Sequence, residues 1–138
     1  MTYLLDTNAC IALISGRPVS VRERFALATA AGERIFTSSV VTFELWYGVA
    51  KSAQRESNEI RLSSFLAGPI EVVEFDEEDA HIAGTVRAHL EALGTPIGAY
   101  DLLIAAQGVR GGATVVTANG SEFGRVPDLL WEDWAATG

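Results

Sequence analysis

The chain has 138 residues and a formal net charge of −8, and 49% of its residues are hydrophobic. This length matches one domain, and the apolar content excludes a disordered chain, because enough apolar surface is available to offset the entropy lost on folding. The net charge has the wrong sign for a protein that binds nucleic acid only by neutralising phosphates. We therefore expect a single domain over residues 1–138.

The amino-terminal segment and the cysteine content exclude further classes. The start MTYLLDTNACIALISG has no basic region, and Asp6 and Asn8 interrupt its apolar run, so a signal peptide is not expected. No segment approaches the roughly 18 apolar residues that a membrane span needs. The only cysteine, Cys10, allows neither an internal disulfide nor a cysteine zinc site. These features predict a cytoplasmic protein with no membrane partner.

Apolar runs alternate with helical periodicity along the chain. In chain order, the predicted strands are TYLLD, RIFTSS, PIEVVEF and ATVVTA, with VPDLLWEDW as a short fifth strand. The predicted helices cover residues 7–15, 19–31, 40–51, 56–66, 77–93 and 99–109. This alternation is typical of βαβ units. The predicted fold class is therefore α/β, with a mostly parallel sheet of four or five strands and helices on both faces.

Three carboxylates lie inside otherwise apolar segments. Asp6 ends the first predicted strand, Glu44 lies in VVTFELWYGVA, and Asp101 lies in PIGAYDLLIAAQGV. A buried carboxylate is costly without a partner, yet no Lys or Arg lies within six residues of Glu44 or within eight of Asp101. Taken singly, Asp6 or Asp101 could cap a helix, and Glu44 could pair with a distant arginine.

Taken together, the three acids predict a cation site. A parallel α/β sheet places the carboxyl ends of its strands and the following helix starts along one crevice, so the acids are expected to converge there. Oxygen ligands without bases suit Mg²⁺ or Mn²⁺ rather than zinc. Such ions activate water and polarise a phosphoryl oxygen, so phosphodiester hydrolysis is the reaction that fits best.

Four motifs in order resemble a known family. They are LLDTN, SSVVTFELWYG, IGAYDLLIAA and VVTANGSEFGRVPDL, and together they span nearly the whole chain. The chain resembles a PIN domain, and within that family it is most similar to the VapC toxins of bacterial toxin–antitoxin pairs. The resemblance implies a Mg²⁺- or Mn²⁺-dependent endoribonuclease that cleaves cellular RNA and inhibits translation and growth. It also implies a VapB-type antitoxin as partner and a homodimer.

The resemblance assigns roles to individual residues. Asp6, Glu44 and Asp101 match the family acids that bind metal, and the fourth position of the catalytic group falls on Asn119. An amide oxygen cannot supply anionic charge there, and Glu122 is the alternative if the turn carries it inward. Thr7 and Asn8, which follow Asp6 in the first motif, are implied to orient Asp6 by hydrogen bonds, and a supporting role is also assigned to Thr117.

Other functions remain open on the sequence alone. An RNA-processing nuclease without an antitoxin is possible, as is a binding partner of the same fold that has lost catalysis. A phosphotransfer receiver domain is disfavoured because Lys51, the only lysine, does not follow a late strand. An aspartate-nucleophile phosphatase is disfavoured because Asn8 replaces the second acid of its Asp-x-Asp pattern.

Charge is divided unequally between the two halves of the chain. Residues 1–68 hold seven basic and six acidic side chains, whereas the remainder holds three basic and twelve acidic ones. We hypothesise a basic rim for RNA around a metal-neutralised centre, supplied by Arg17, Arg22, Arg24, Arg55 and Arg61. Two aromatic residues near Glu44, Trp46 and Tyr47, are expected to pack in the core rather than to stack on bases or fill a dimer interface.

Overall fold

A computed structural model describes residues 1–136 and shows five strands and seven helices in that range. The strands are β1 (Thr2–Leu5), β2 (Arg34–Ser38), β3 (Glu71–Val73), β4 (Thr114–Val116) and β5 (Leu130–Glu132). The helices are α1 (Thr7–Ser15), α2 (Val19–Ala30), α3 (Ser39–Lys51), α4 (Arg55–Leu66), α5 (Glu77–Ala92), α6 (Ala99–Gly111) and α7 (Gly120–Phe123).

The five strands form one sheet in the order β3-β2-β1-β4-β5, and every neighbouring pair is parallel. The central strand β1 pairs Leu5 with Thr37 on one side and with Val116 on the other. Because all strands run the same way, their carboxyl ends meet at one edge of the sheet. The predicted α/β class and mostly parallel sheet are confirmed, and the short fifth strand is present.

Different helices cover the two faces of the sheet. Leu4 and Val115 are register partners, so their side chains share one face, and Gly108 of α6 packs directly against Val115 there. On the opposite face, the thiol of Cys10 in α1 contacts the Thr37 hydroxyl at 3.7 Å. The core therefore lies in two layers, one on each side of β1.

The start of α5 is held by a capping box and an arginine. The Asp76 side chain accepts from the Asp79 amide at 3.1 Å, and the Asp79 side chain accepts from the Asp76 amide at 2.9 Å. Arg110, near the end of α6, forms ion pairs with Asp76, with Glu78 at 3.1 Å and with the buried Asp79 at 3.2 Å. These contacts tie α5 to α6, and α6 carries Asp101.

The structure differs from the sequence prediction mainly after β4. Residues 120–123, expected as part of a turn, form the short helix α7. The six predicted helices are present with ends that shift by no more than two residues, as when α6 continues to Gly111. Within residues 1–136, none of the helices has the length and apolarity required to cross a membrane.

Gly108 and Gly84 are helical glycines with opposite surroundings, which gives a matched test of the packing. An added Cβ at Gly108 would lie 2.8 Å from Val115 Cγ2, whereas one at Gly84 meets nothing within 4 Å. We expect Gly108→Ala to destabilise the fold by about 1–3 kcal/mol through overpacking. Gly84→Ala should stabilise it by up to about 1 kcal/mol, because alanine favours helix. Urea unfolding measures both, and two changes of the same sign would contradict the packing described.

Candidate active site

Asp6 lies at the carboxyl end of the central strand and is only 4% exposed. Its carboxylate accepts from the Ala9 amide at 2.9 Å and thereby caps α1. The pKa of Asp6 is raised to about 6, chiefly by burial and in smaller part by the negative charges of Asp101 and Glu44. Hydrogen bonds from Thr117 and Ala9 act in the opposite direction. The three predicted acids are therefore close enough to act on one another.

Glu44 is placed at the same edge by α3, which begins directly after β2. The Ser38 hydroxyl accepts from the Val40 amide at 3.0 Å and starts the helix. Glu44 then follows in the second turn, partly buried, where its Oε1 accepts from the Thr7 hydroxyl at 2.7 Å. This bond joins α1 to α3 beside Asp6.

Asp101 lies in the first turn of α6 and is half-buried. Its Oδ2 accepts from the Asn119 amide Nδ2 at 3.0 Å, and the same Nδ2 also donates to Glu122. Burial raises the pKa of Asp101, and the nearby charges of Glu122 and Glu44 add to this, while the Asn119 bond lowers it. The amide of Asn119 therefore bridges two carboxylates and presents its N–H side, not its oxygen, to Asp101.

Glu122 lies on α7 and is partly exposed. Its Oε1 accepts from the Gly98 amide at 2.9 Å, and bonds from Asn119 and Gly98 hold the pKa of Glu122 below its usual range. The turn is covered by Trp131 of β5, since a Cβ on Gly120 would overlap the indole ring. Glu122 thus lies next to Asn119, which in turn contacts Asp101.

The hydrogen bonds of Thr7, Asn8 and Thr117 differ in part from the prediction. Thr7 was expected to orient Asp6, but its hydroxyl donates to Glu44, because the Asp6 carboxylate is already engaged in capping α1. Asn8 is exposed, and no hydrogen bond of its side chain is found within residues 1–136. Thr117 lowers the pKa of Asp6 through a hydrogen bond, and its hydroxyl accepts from the main-chain N–H of Asn119 at 2.9 Å, so it contacts both sides of the site.

The donor chemistry of the three acids fits a hard divalent cation. All their ligand atoms are oxygens, and none of the ion pairs within residues 1–136 involves Asp6, Glu44 or Asp101. In that part of the chain, no three Asp, Glu, His or Cys side chains are gathered as a ligand set. Glu44 and Asp101 instead accept hydrogen bonds from the side chains of Thr7 and Asn119.

Two of the five arginines of the predicted basic rim are engaged within the fold. Arg22 donates to the carbonyls of Leu13 at 2.8 Å and Ile14 at 3.0 Å, which satisfies the end of α1. Arg24 pairs with Glu132 at 2.9 Å. The other three, Arg17, Arg55 and Arg61, are exposed.

Trp46 and Tyr47 were expected to pack in the core, and this is wrong. They are 40% and 58% exposed, respectively. The buried face of α3 is formed instead by Val41 and Leu45. The helix turns residues 46 and 47 away from that face, because they lie about 100° and 200° of rotation beyond Leu45.

Comparisons with known proteins agree with the architecture. The family model of the PIN domain matches residues 3–129. The chain is 40% identical over 134 residues to the tRNA(fMet)-specific endonuclease VapC of Salmonella typhimurium, covering 97% of this chain and 98% of that protein. It is equally identical, at 40% with the same coverage, to ribonuclease VapC2 of Rickettsia felis.

Solved structures extend this similarity to the fold. The crystal structure of VapBC2 from Rickettsia felis bound to a DNA fragment from their promoter superposes with a TM-score of 0.90 at 40% identity, covering 97% of this chain and 99% of that chain. The structure of VapBC-1 from nontypeable Haemophilus influenzae superposes with a TM-score of 0.85 at 33% identity, covering 99% of this chain and 100% of that chain. The chain therefore belongs to the PIN domain family, in its VapC branch.

Proposed function

We propose that the chain is a Mg²⁺- or Mn²⁺-dependent endoribonuclease and the toxin of a VapBC-type pair, which inhibits translation and growth by cleaving RNA. The observation that carries this proposal is the buried Asp6, flanked by Glu44 and Asp101 and without a basic partner in the described residues. A buried carboxylate that lies beside two other carboxylates favours the binding of a cation. The ribonuclease and endonuclease names of the relatives give further support.

In this proposal, Asp6, Glu44 and Asp101 hold the divalent ion. When bound, such an ion would supply an activated water and would neutralise charge on the phosphate. The protein itself positions the three carboxylates by hydrogen bonds. Thr7 orients the Glu44 carboxylate and Thr117 orients the Asp6 carboxylate. Asn119 orients the Asp101 carboxylate. Glu122 acts through Asn119, because it accepts from the same amide group that binds Asp101.

The names of the relatives suggest a first substrate to test. The Salmonella typhimurium relative is a tRNA(fMet)-specific endonuclease. We propose initiator tRNA as the substrate class, because its loss would block the start of translation. Sequencing of RNA ends after induced expression, with the Asp6→Asn variant as control, would show whether tRNA or another RNA is cut.

The three acids are expected to be indispensable for cleavage. Asp6→Asn, Glu44→Gln and Asp101→Asn should each lower the cleavage rate at least about 100-fold, because each removes charge from the metal-binding group. Asn119→Ala should cost about 10-fold, since it removes only support for Asp101. Gel assays of tRNA cleavage with Mg²⁺, Mn²⁺ or EDTA measure this, with Glu91→Gln on the surface of α5 as control. A folded Asp101→Asn protein with full activity would refute the proposal.

Asp6→Asn should also raise the stability of the protein while it abolishes activity. Asparagine retains the cap of α1 but removes a charge that burial makes unfavourable. The raised pKa of Asp6 corresponds to a gain of about 1–3 kcal/mol in the free energy of unfolding at pH 7.5 in EDTA. Asp6→Ala, which loses the cap, should gain less. An Asp6→Asn variant less stable than the native chain would contradict the unfavourable burial of this charge.

We also propose that a helix of a VapB-type antitoxin binds an apolar groove between α1, α3 and α4, here called the α1–α3–α4 groove. The groove has a volume of about 290 Å³, and its walls include Ile14, Leu45 and Leu62. Glu44 lies in the same groove, so a basic side chain of the helix could reach the acids. The named VapBC complexes among the similar structures support such a partner.

Filling the α1–α3–α4 groove should weaken binding of the antitoxin. Gly48 lines the groove, and a Cβ there meets nothing within 4 Å, so Gly48→Leu should fold and occupy the space. We expect at least a tenfold higher Kd for a VapB-type antitoxin, measured by calorimetry. Gly84→Leu, on the open surface of α5, is the control. Unchanged affinity of Gly48→Leu would place the antitoxin elsewhere.

A homodimer is proposed from an exposed aromatic patch on α3 and α6. The patch consists of Phe43, Tyr47 and Tyr100, and the rings of Phe43 and Tyr100 lie 5.6 Å apart. Exposed aromatic clusters of this kind are typical of protein interfaces. Sedimentation equilibrium of the purified chain should give twice the monomer mass, and a monomer mass at micromolar concentration would reject the dimer.

A further inference from the structure

The structure divides the arginines into those used by the fold and those available to a ligand. Within residues 1–136, six arginine side chains bind carboxylates or main-chain carbonyls: Arg22, Arg24, Arg34, Arg87, Arg110 and Arg125. In the same range, the guanidinium groups of Arg17, Arg55 and Arg61 form no hydrogen bond or ion pair. Arg61 lines the α1–α3–α4 groove, and Arg17 lines a second cavity.

This second cavity, here called the α1–β5 cavity, adjoins Asp6. It lies between α1 and the segment that follows β5, with a volume of about 270 Å³. Asn8 and Thr117 both line it. Asn8 is two residues from Asp6, and Thr117 is the residue whose hydroxyl supports the Asp6 carboxylate. The cavity wall also includes Val116, whose carbonyl accepts from the Asp6 N–H at 3.1 Å, and Arg17.

The side chains of the α1–β5 cavity suit a nucleotide. Asn8 offers an amide donor and an amide acceptor, the groups that read the edge of a base. Arg17 offers a planar guanidinium for a phosphate. Ile11 and Pro18 add apolar surface for a ring. Asp133, which accepts from the Ala135 amide at 2.9 Å, would repel a phosphate but can accept from a base amino group.

We propose that the α1–β5 cavity binds one nucleotide of the RNA next to the cleaved bond, with Arg17 on its phosphate and Asn8 on its base. The inference rests on the proposed ribonuclease function. The volume lies just below the roughly 300–1,000 Å³ of ligand pockets, which suits a single nucleotide rather than a longer stretch. The polar groups favour RNA over an antitoxin helix, for which the α1–α3–α4 groove supplies the apolar walls.

The test measures RNA binding without catalysis. A fluorescein-labelled single-stranded RNA of ten nucleotides is titrated in EDTA, and anisotropy gives Kd over a range of salt concentrations. Arg17→Gln should raise Kd about five- to tenfold and lower the salt slope by about one, because one phosphate contact is lost. Arg87→Gln, whose side chain pairs with Glu91 on α5, is the matched control and should change Kd less than twofold.

The role of Asn8 is tested with probes that differ in their bases. Asn8→Ala should reduce the differences in Kd among oligo-A, oligo-C and oligo-U, because the base-reading group is removed. With Mg²⁺ present, Arg17→Gln should raise KM for a cleaved RNA several-fold and change kcat less than twofold. Circular dichroism melting confirms that each variant is folded.

Several results would overturn the inference. Unchanged Kd and salt slope for Arg17→Gln would show that the guanidinium does not bind RNA. Loss of antitoxin binding by this variant with RNA binding intact would assign the cavity to the antitoxin instead. Both results differ from a failure of the proposed function, in which the native chain itself cleaves no RNA with Mg²⁺ or Mn²⁺.

Discussion

The site depends on the parallel pairing of β1 with a strand on each side. Leu5 has Thr37 as its partner in β2 and Val116 in β4, so the residue after it necessarily lies between the ends of those two strands. That residue is Asp6, and its amide donates to the Val116 carbonyl at 3.1 Å, continuing the strand pairing. The central position both buries Asp6 and brings it next to α3 and the turn after β4. The burial of Asp6 and its neighbours at the end of the sheet follow from this pairing.

The fold was largely predictable because its signals are local. Apolar runs, helical periodicity and the order of elements depend on nearby residues, and they correctly indicate a parallel sheet covered on both faces. The placement of Asp6 and Glu44 towards the carboxyl edge of the sheet was also predictable, since strand ends and the starts of the helices that follow them share that edge. The short helix α7 was missed because four residues carry too little periodicity to distinguish a helix from a turn.

The hydrogen bonds of the site join residues that are far apart in the sequence, so local sequence patterns do not predict them. Thr7 bonds to Glu44, 37 residues away, rather than to its neighbour Asp6, and no local pattern indicates this. Asn119 and Glu122 are spaced by three residues, which would suggest a common helix face if α7 were known in advance. The arginines show the same limit. Composition counts their charge, whereas only the structure shows that Arg22 and Arg24 are already used by the fold.

Ile11 stands on the exposed side of α1 and lines both the α1–α3–α4 groove and the α1–β5 cavity. A side chain shared in this way cannot be changed to suit one surface without altering the other. If the groove holds the inhibitor and the cavity the substrate, a toxin that evolves to escape its inhibitor at this position also changes its fit to RNA. The shared residue therefore links the evolution of substrate choice to the evolution of inhibition. Fewer substitutions at this position are compatible with both.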